Sequence, residues 1–208
     1  MATRIVRRGI DHNMCSRFYY AKDFYQKLNN IAELDGYELK LEKDLTDVHP
    51  SETSITLFQD GSHVTAKDML WGFTSNYDKG IVINARSESV REKPMFSESI
   101  ALRRCIIPAS GFYEWDANKA RYRFFMPEGG LILMAGIYRK EPTGNRYTIL
   151  TTDANETMAP VHNRMPVIIS EDEIRPWLRD DTKTDEILNR VPRLLAREQD
   201  AGQISMVF

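Results

Sequence analysis

Apolar residues recur at helical spacing near the start of the chain, at Tyr20, Phe24, Leu28 and Ile31, and predict an amphipathic helix over 20–31. Beyond it the period shortens. Short β-like runs occupy 54–58, 69–73 and 81–84. The stretch 87–104 reads as helical, with Pro94 expected to break or kink it. Four further strands are predicted at 105–115, 122–126, 131–138 and 147–152, separated by turn residues such as Glu128-Gly129-Gly130 and Pro142-Thr143-Gly144-Asn145. A short strand at 167–169 follows. Ser170 with Glu173 then forms a capping-box signal for a helix through Leu178, and a last helix is expected over 185–195, disturbed by Pro192. Many short strands with helices around them and no βαβ rhythm predict an α+β domain with a mainly antiparallel, barrel-like sheet core and peripheral helices. No repeat or linker divides the chain.

Composition alters this picture little. A length of 208 residues, 42% of them hydrophobic, suits one domain able to bury a proper core. No apolar run approaches the roughly 18–20 residues that span a bilayer, and the basic opening MATRIVRRGIDHN lacks the apolar core of a signal peptide, so a cytoplasmic protein without a membrane role is expected. A net charge of −2 argues against coating DNA by bulk electrostatics. Nucleic-acid contact would need a local patch. Arg4, Arg7 and Arg8 are one candidate, and Arg86, Arg91, Lys93, Arg103 and Arg104 are the other; either set also reads as solvated surface charge.

The two cysteines, Cys15 and Cys105, show neither CxxC nor Cys/His ligand spacing, so no metal site is expected, and a reducing compartment disfavours a disulfide. Cys105 reads as a buried strand residue, whereas Cys15 lies outside any clear apolar face. Four short segments place polar groups in apolar context: MCSRF at 14–18, INARSE at 83–88, GFYEW at 111–115, and TTDAN at 151–155 paired with HNRMP at 162–166. Singly, each has an ordinary structural reading. Asn84 suits a turn, Glu114 suits the wet face of a sheet, and His162 suits surface or core.

In this order and spacing, these segments resemble the SRAP family, the SOS-response-associated peptidases understood as abasic-site processing proteins. The likeness covers 14–170 and includes the Trp71-Gly72 pair and the AGIY stretch at 135–138. It implies an SRAP-like domain over 14–208 preceded by an extension, 1–13, that the mature protein need not carry; a chain that keeps it would be a diverged member without crosslinking ability. Cys15 then matches the residue that becomes N-terminal when the initiator Met is removed. Asn84 and Arg86 match the NAR residues that line the site, Glu114 matches the active-site Glu, His162 the acid/base His, and Arg17 an Arg that holds DNA phosphate. Trp71 and Tyr77 are candidates to stack on exposed bases, Trp71 being equally readable as core. Two departures stand out. Asp47-Val48-His49-Pro50 occupies the place of a family NVAP segment, and nothing after Arg190 clearly matches the family's C-terminal stretch.

The implied chemistry needs both nucleophiles of an N-terminal Cys. Its amine condenses with the aldehyde of a ring-opened abasic sugar, and its thiol closes the imine into a thiazolidine at high effective concentration. An α-amine near ~7.7–8.0 and a thiol near ~8.5 leave part of each available at neutral pH. As numbered, fourteen residues precede Cys15, so its nitrogen is an amide unless Met14 is the true start or a leader ending there is cleaved. The expected partner is single-stranded DNA bearing an abasic site, bound by a monomer without a cofactor. A Cys-dependent (auto)peptidase using Cys15, Glu114 and His162, and a non-catalytic single-strand-binding module, remain as alternatives.

Overall fold

The computed structural model describes residues 15–31, 47–75 and 80–199. Fifteen strands are assigned among them: β1 (Phe18–Tyr19), β2 (Asp47–Val48), β3 (Thr53–Asp60), β4 (His63–Trp71), β5 (Phe73–Thr74), β6 (Ile81–Val82), β7 (Asn84–Arg86), β8 (Arg104–Ala109), β9 (Gly111–Trp115), β10 (Arg121–Phe125), β11 (Ile132–Glu141), β12 (Gly144–Asp153), β13 (Arg164–Pro166), β14 (Ile168–Ile169) and β15 (Ala196–Gln199). The helices are α1 (Phe24–Asn29), α2 (Ser97–Leu102), α3 (Ile174–Arg179) and α4 (Asp181–Asn189).

Strands β12, β4, β3, β8 and β11 pair in that order, and β11 pairs back onto β12, closing a five-stranded barrel. Closure removes the free edges that an open sheet exposes. Pairing is antiparallel except where β12 runs parallel to β4 and β7, so the expected α+β, barrel-like, mainly antiparallel architecture is what the chain adopts. A second sheet, β15-β10-β9-β1-β2, lies beside the barrel. Aromatic rings join the two. Phe18 of β1 meets Trp71 of β4 at 5.1 Å between centroids, and Trp71 stacks on Tyr147 of β12 at 6.1 Å. Phe112 stacks on Phe124 at 5.2 Å within the second sheet. Such pairs add about 0.5–1.5 kcal/mol each beyond the area they bury.

Several expectations are corrected. All four apolar residues of the 20–31 pattern are buried, but only Phe24–Asn29 is helical. Strand β1 runs to Tyr19, and the Ala21 amide donates to Ser110 Oγ at 2.9 Å, so a helix cannot begin at Tyr20. Pro94 leaves only a 3-10 turn, Ser87–Ser89, and the short α2 in the stretch read as helix. The last helix begins earlier and ends sooner than its pattern suggests, because the Asp180 carboxylate caps the Thr182 amide at 2.8 Å. The capping box before α3 is present, with the Ser170 amide donating to Glu173 Oε2 at 2.9 Å.

The single strand expected over 105–115 breaks at Ser110 into β8 of the barrel and β9 of the second sheet. Gly111 permits the crossing, because the backbone of β10 and the ring of Tyr19 approach it closely. A Cβ at that position would lie 2.4 Å from the Phe124 carbonyl oxygen and 2.5 Å from Tyr19 Oη. Gly111→Ala is therefore expected to cost about 2–3 kcal/mol and lower Tm by roughly 5–10 °C in thermal unfolding. Gly130→Ala, where nothing lies within 4 Å of the added Cβ, should leave Tm within a degree or two.

Candidate functional site

The pairing of β1 with β9 brings Cys15 and Glu114 together. Phe18 lies opposite Phe112 and Tyr19 opposite Gly111, and the Tyr113 amide donates to the Arg17 carbonyl at 2.9 Å. Continuing outward, this antiparallel register brings the Cys15 nitrogen to the Glu114 carboxyl, to which it donates a hydrogen bond across 99 positions of sequence. Cys15 adopts a left-handed backbone with φ of 48° and is wholly buried. The sequence placed it outside any apolar face, so its burial is a correction. The cause is its position just before β1, an inner strand of the second sheet whose Phe18 packs against Trp71 of the barrel.

Glu114 alternates inward on β9, between the half-buried Tyr113 and Trp115, and is only 4% exposed. Burial pushes its carboxyl up to about 7, a rise opposed by hydrogen bonds from the Cys15 and Trp115 amides. A carboxyl poised there exchanges protons at neutral pH. The Cys15 thiol behaves differently. Burial, and then the neighbouring Glu114, push it well above its ordinary value, so it stays protonated rather than supplying the ready thiolate that its unperturbed range implied.

Glu114 opens into a cleft of about 1070 Å³ that Ser16, Asn84, Arg86, Trp115, Thr151, His162 and Arg164 also line. Asn84 and Arg86 arrive on β7, which pairs parallel with β12 so that Asn84 lies opposite Ile149 and Arg86 opposite Thr151. His162 arrives on the turn after β12. Asn155 builds that turn, its Oδ1 accepting from the Thr157 and Met158 amides at 3.1 Å while its Nδ2 donates to the Arg193 carbonyl at 2.8 Å. The Arg164 amide donates to His162 Nδ1 at 3.0 Å, so a neutral imidazole carries its proton on Nε2.

Arg164 received no role from its sequence, yet it ties INARSE to both halves of the TTDAN–HNRMP pair. Its guanidinium reaches Glu88 Oε1 and Oε2 at 2.7 and 2.8 Å, Asp153 Oδ1 at 2.6 Å and the Thr151 carbonyl at 2.7 Å. The clue was the recurrence of Asp153, Glu88 and Arg164 inside the segments themselves, but only the β7–β12–β13 pairing shows that they converge.

Other candidates fall elsewhere. Trp71 is fully buried and donates Nε1–H to the Ile83 carbonyl at 3.1 Å; it anchors the strand entering the site and has no face for a base. Arg17 pairs with Asp47 and lies 5.3 Å over the Tyr113 ring, away from the cleft lining. Tyr77 and Arg4, Arg7 and Arg8 lie outside the described residues. Of the central basic set, Arg104 is buried against the Trp177 carbonyl and Asp181, each at 2.5 Å, and Arg91 pairs with Asp185 at 2.7 Å. Cys105 is buried in β8, as its sequence context predicts.

Known proteins share both sequence and shape with this chain. The family model described as SOS response associated peptidase (SRAP) matches residues 14–206, which also extends the likeness past Arg190, where no clear match was expected. The chain is 34% identical to the abasic site processing protein YoqW of Bacillus subtilis, covering 92% of each, and 32% identical to YoaM of the same organism, covering 92% of this chain and 91% of that one. It is 25% identical to YedK of Escherichia coli over 83% of each. A solved structure from Bordetella bronchiseptica shares the fold with a TM-score of 0.73, covering 89% of this chain and 99% of that one at 23% identity. The chain belongs to the SRAP family.

Proposed function

We propose that this protein captures abasic sites in single-stranded DNA by forming a thiazolidine through Cys15, once Cys15 is the N-terminal residue of a domain beginning there. The observation that carries this reading is the Cys15 nitrogen held against the Glu114 carboxyl at the back of a cleft lined by Asn84 and His162. The relatives' names, abasic site processing protein, support the same reading, as does a family match that begins at Met14.

The residues divide the work as follows. As the ring opens to the aldehyde, the bond from C1 to the ring oxygen breaks, the C1 hydroxyl loses its proton to water, and the ring oxygen takes a proton from a water held by His162 Nε2–H. The Cys15 amine attacks the aldehyde carbon. Glu114, protonated below about 7, delivers the proton with which water leaves, and an iminium remains. The neutral thiol then adds to the same carbon. A C–S bond forms, the C=N pair returns to nitrogen, and the thiol proton passes to the Glu114 carboxylate. A high thiol pKa is tolerable here because the attack is intramolecular on a cationic carbon. Asn84 orients the sugar or the amine without titrating, and Arg86 meets the backbone phosphate.

The same thiol argues against the peptidase reading. A Cys peptidase draws on a thiolate stabilised beside a cation, whereas Cys15 sits in a dry site beside a carboxyl.

A chain starting at Cys15, mixed with an oligonucleotide holding one abasic site, should give a heat-stable adduct on a denaturing gel. Cys15→Ala should give none, Cys15→Ser only a borohydride-trapped imine, and a chain retaining residues before Cys15 none at all. Equal binding of intact and abasic strands with no adduct from the Cys15-start chain would overturn the proposal.

Glu114 also sets a pH dependence. Its folded value of about 7 exceeds the unfolded carboxyl range near ~4.3, so the folded state holds the extra proton between them. Stability should therefore fall as pH rises from about 4.5 to 7, by up to about 3 kcal/mol. In chemical denaturation at several pH values, Glu114→Gln should flatten that slope and be the more stable protein at pH 8, while slowing adduct formation at least tenfold.

A further inference from the structure

A second cavity, of about 700 Å³, shares Val82 of β6 with the cleft. Its lining includes four cations, Lys93, Arg103, Arg139 and Lys140, and a single carboxylate, Glu98.

The arginines are already committed. Arg103 pairs with Glu98 at 3.0 Å and donates to the Tyr138 carbonyl at 3.3 Å. Arg139 pairs with Glu141 at 2.6 Å, donates to the Thr74 carbonyl at 2.6 Å and lies 4.5 Å over the Phe73 ring. Lys93 and Lys140 are exposed and have no ion-pair partner among the described residues. The cavity therefore offers two uncommitted ammonium groups over an apolar floor of Val82, Met95 and Phe96. Phe96 and Phe73 are buried, so no ring of this pair is presented for a base to stack on. Two point charges over a small apolar surface suit phosphates with a deoxyribose between them, a contact blind to base identity.

We propose that this cavity is a backbone subsite for the DNA strand flanking the lesion, with Lys93 and Lys140 each taking a phosphate where the strand continues from the cleft past Val82. The inference rests on the proposed capture of abasic DNA, and it extends the footprint beyond the reacting sugar. It also revises the central basic set read from the sequence. Lys93 and Arg103 belong to this subsite, Arg86 belongs to the cleft, and Arg91 and Arg104 hold the fold.

The test uses the chain starting at Cys15 and strands carrying a tetrahydrofuran lesion, which has no aldehyde, so that binding is read without crosslinking. A short strand filling only the cleft is compared by fluorescence anisotropy with strands extended on the 5′ or the 3′ side. Extension on one side should tighten wild-type binding about tenfold. The Lys93→Glu/Lys140→Glu double variant should lose that gain, with a salt slope lower by about 1–2 on the extended strand, roughly 0.7 per phosphate contact. Its affinity for the short strand, and its adduct yield on a short aldehyde-bearing strand, should match wild type. The proposal is overturned if the variant keeps the full gain, if short and extended strands weaken by the same factor, or if the cavity binds only a free mononucleotide. Absence of any adduct from wild type would sink the capture reading alone, because the anisotropy comparison does not depend on it.

Discussion

An amide or amine nitrogen and a carboxyl, brought together in a dry pocket, define the centre of this molecule. The contact between Cys15 and Glu114 depends on β1, a strand of only two residues, being clamped between β2 and β9. Phe18 holds that strand in place by reaching Trp71 across the gap between sheet and barrel. Gly111 lets it approach, and Ser110 ties its end through the Tyr19 carbonyl and the Ala21 amide. Large apolar burial thus fixes the position of one small polar pair, and the same burial raises the carboxyl into the working range. Packing and the electrostatics of the site are one arrangement here.

The opposite wall of the cleft is organised by charge. Arg164 is shared between Glu88 and Asp153 and donates its own amide to His162 Nδ1, so the ion-pair network and the histidine tautomer are set by the two ends of one residue. Its side chain is 13% exposed, which places the pairs between a surface bridge of little worth and a buried one whose loss is costly. Its principal effect is geometric, since it fastens β13 to the 3-10 turn after β7. Asn84, Arg86 and His162 consequently sit on elements that cannot shift independently of one another.

Local chemistry made part of this legible in the sequence. Period-two runs located the barrel strands, the Ser170–Glu173 box located α3, and the context of Cys105 marked it as core. The four segments identified the residues that meet in the cleft. What local pattern could not convey was pairing. Nothing in MCSRF announces a two-residue strand, and an apolar run such as 105–115 looks continuous although its halves serve different sheets. Trp71 and Arg104 looked available for DNA because type and neighbourhood say nothing of burial, and both are consumed by the fold. Arg164 went unassigned for the converse reason, since its partners come from segments 11 and 76 positions away.

The same contact that organises the site makes its electrostatics depend on how the chain begins. While Cys15 carries a peptide nitrogen, Glu114 faces a neutral donor, and burial dominates its titration. When the nitrogen is a free amine, one proton is shared between an ammonium and a carboxylate at hydrogen-bond distance. Pairing then favours both charged forms, drawing the carboxyl down and the amine up. The two groups titrate as a unit, with apparent values that belong to the pair rather than to either residue. Attack on a substrate aldehyde would resolve this, because the ammonium must pass its proton to Glu114 before the amine can attack, and the neutral carbinolamine that forms no longer holds the carboxyl ionised. Glu114 is thereby returned toward its buried, proton-holding state at the step where water must leave. Exposing the Cys15 nitrogen would thus supply the nucleophile and also couple the acid's protonation to the progress of the reaction.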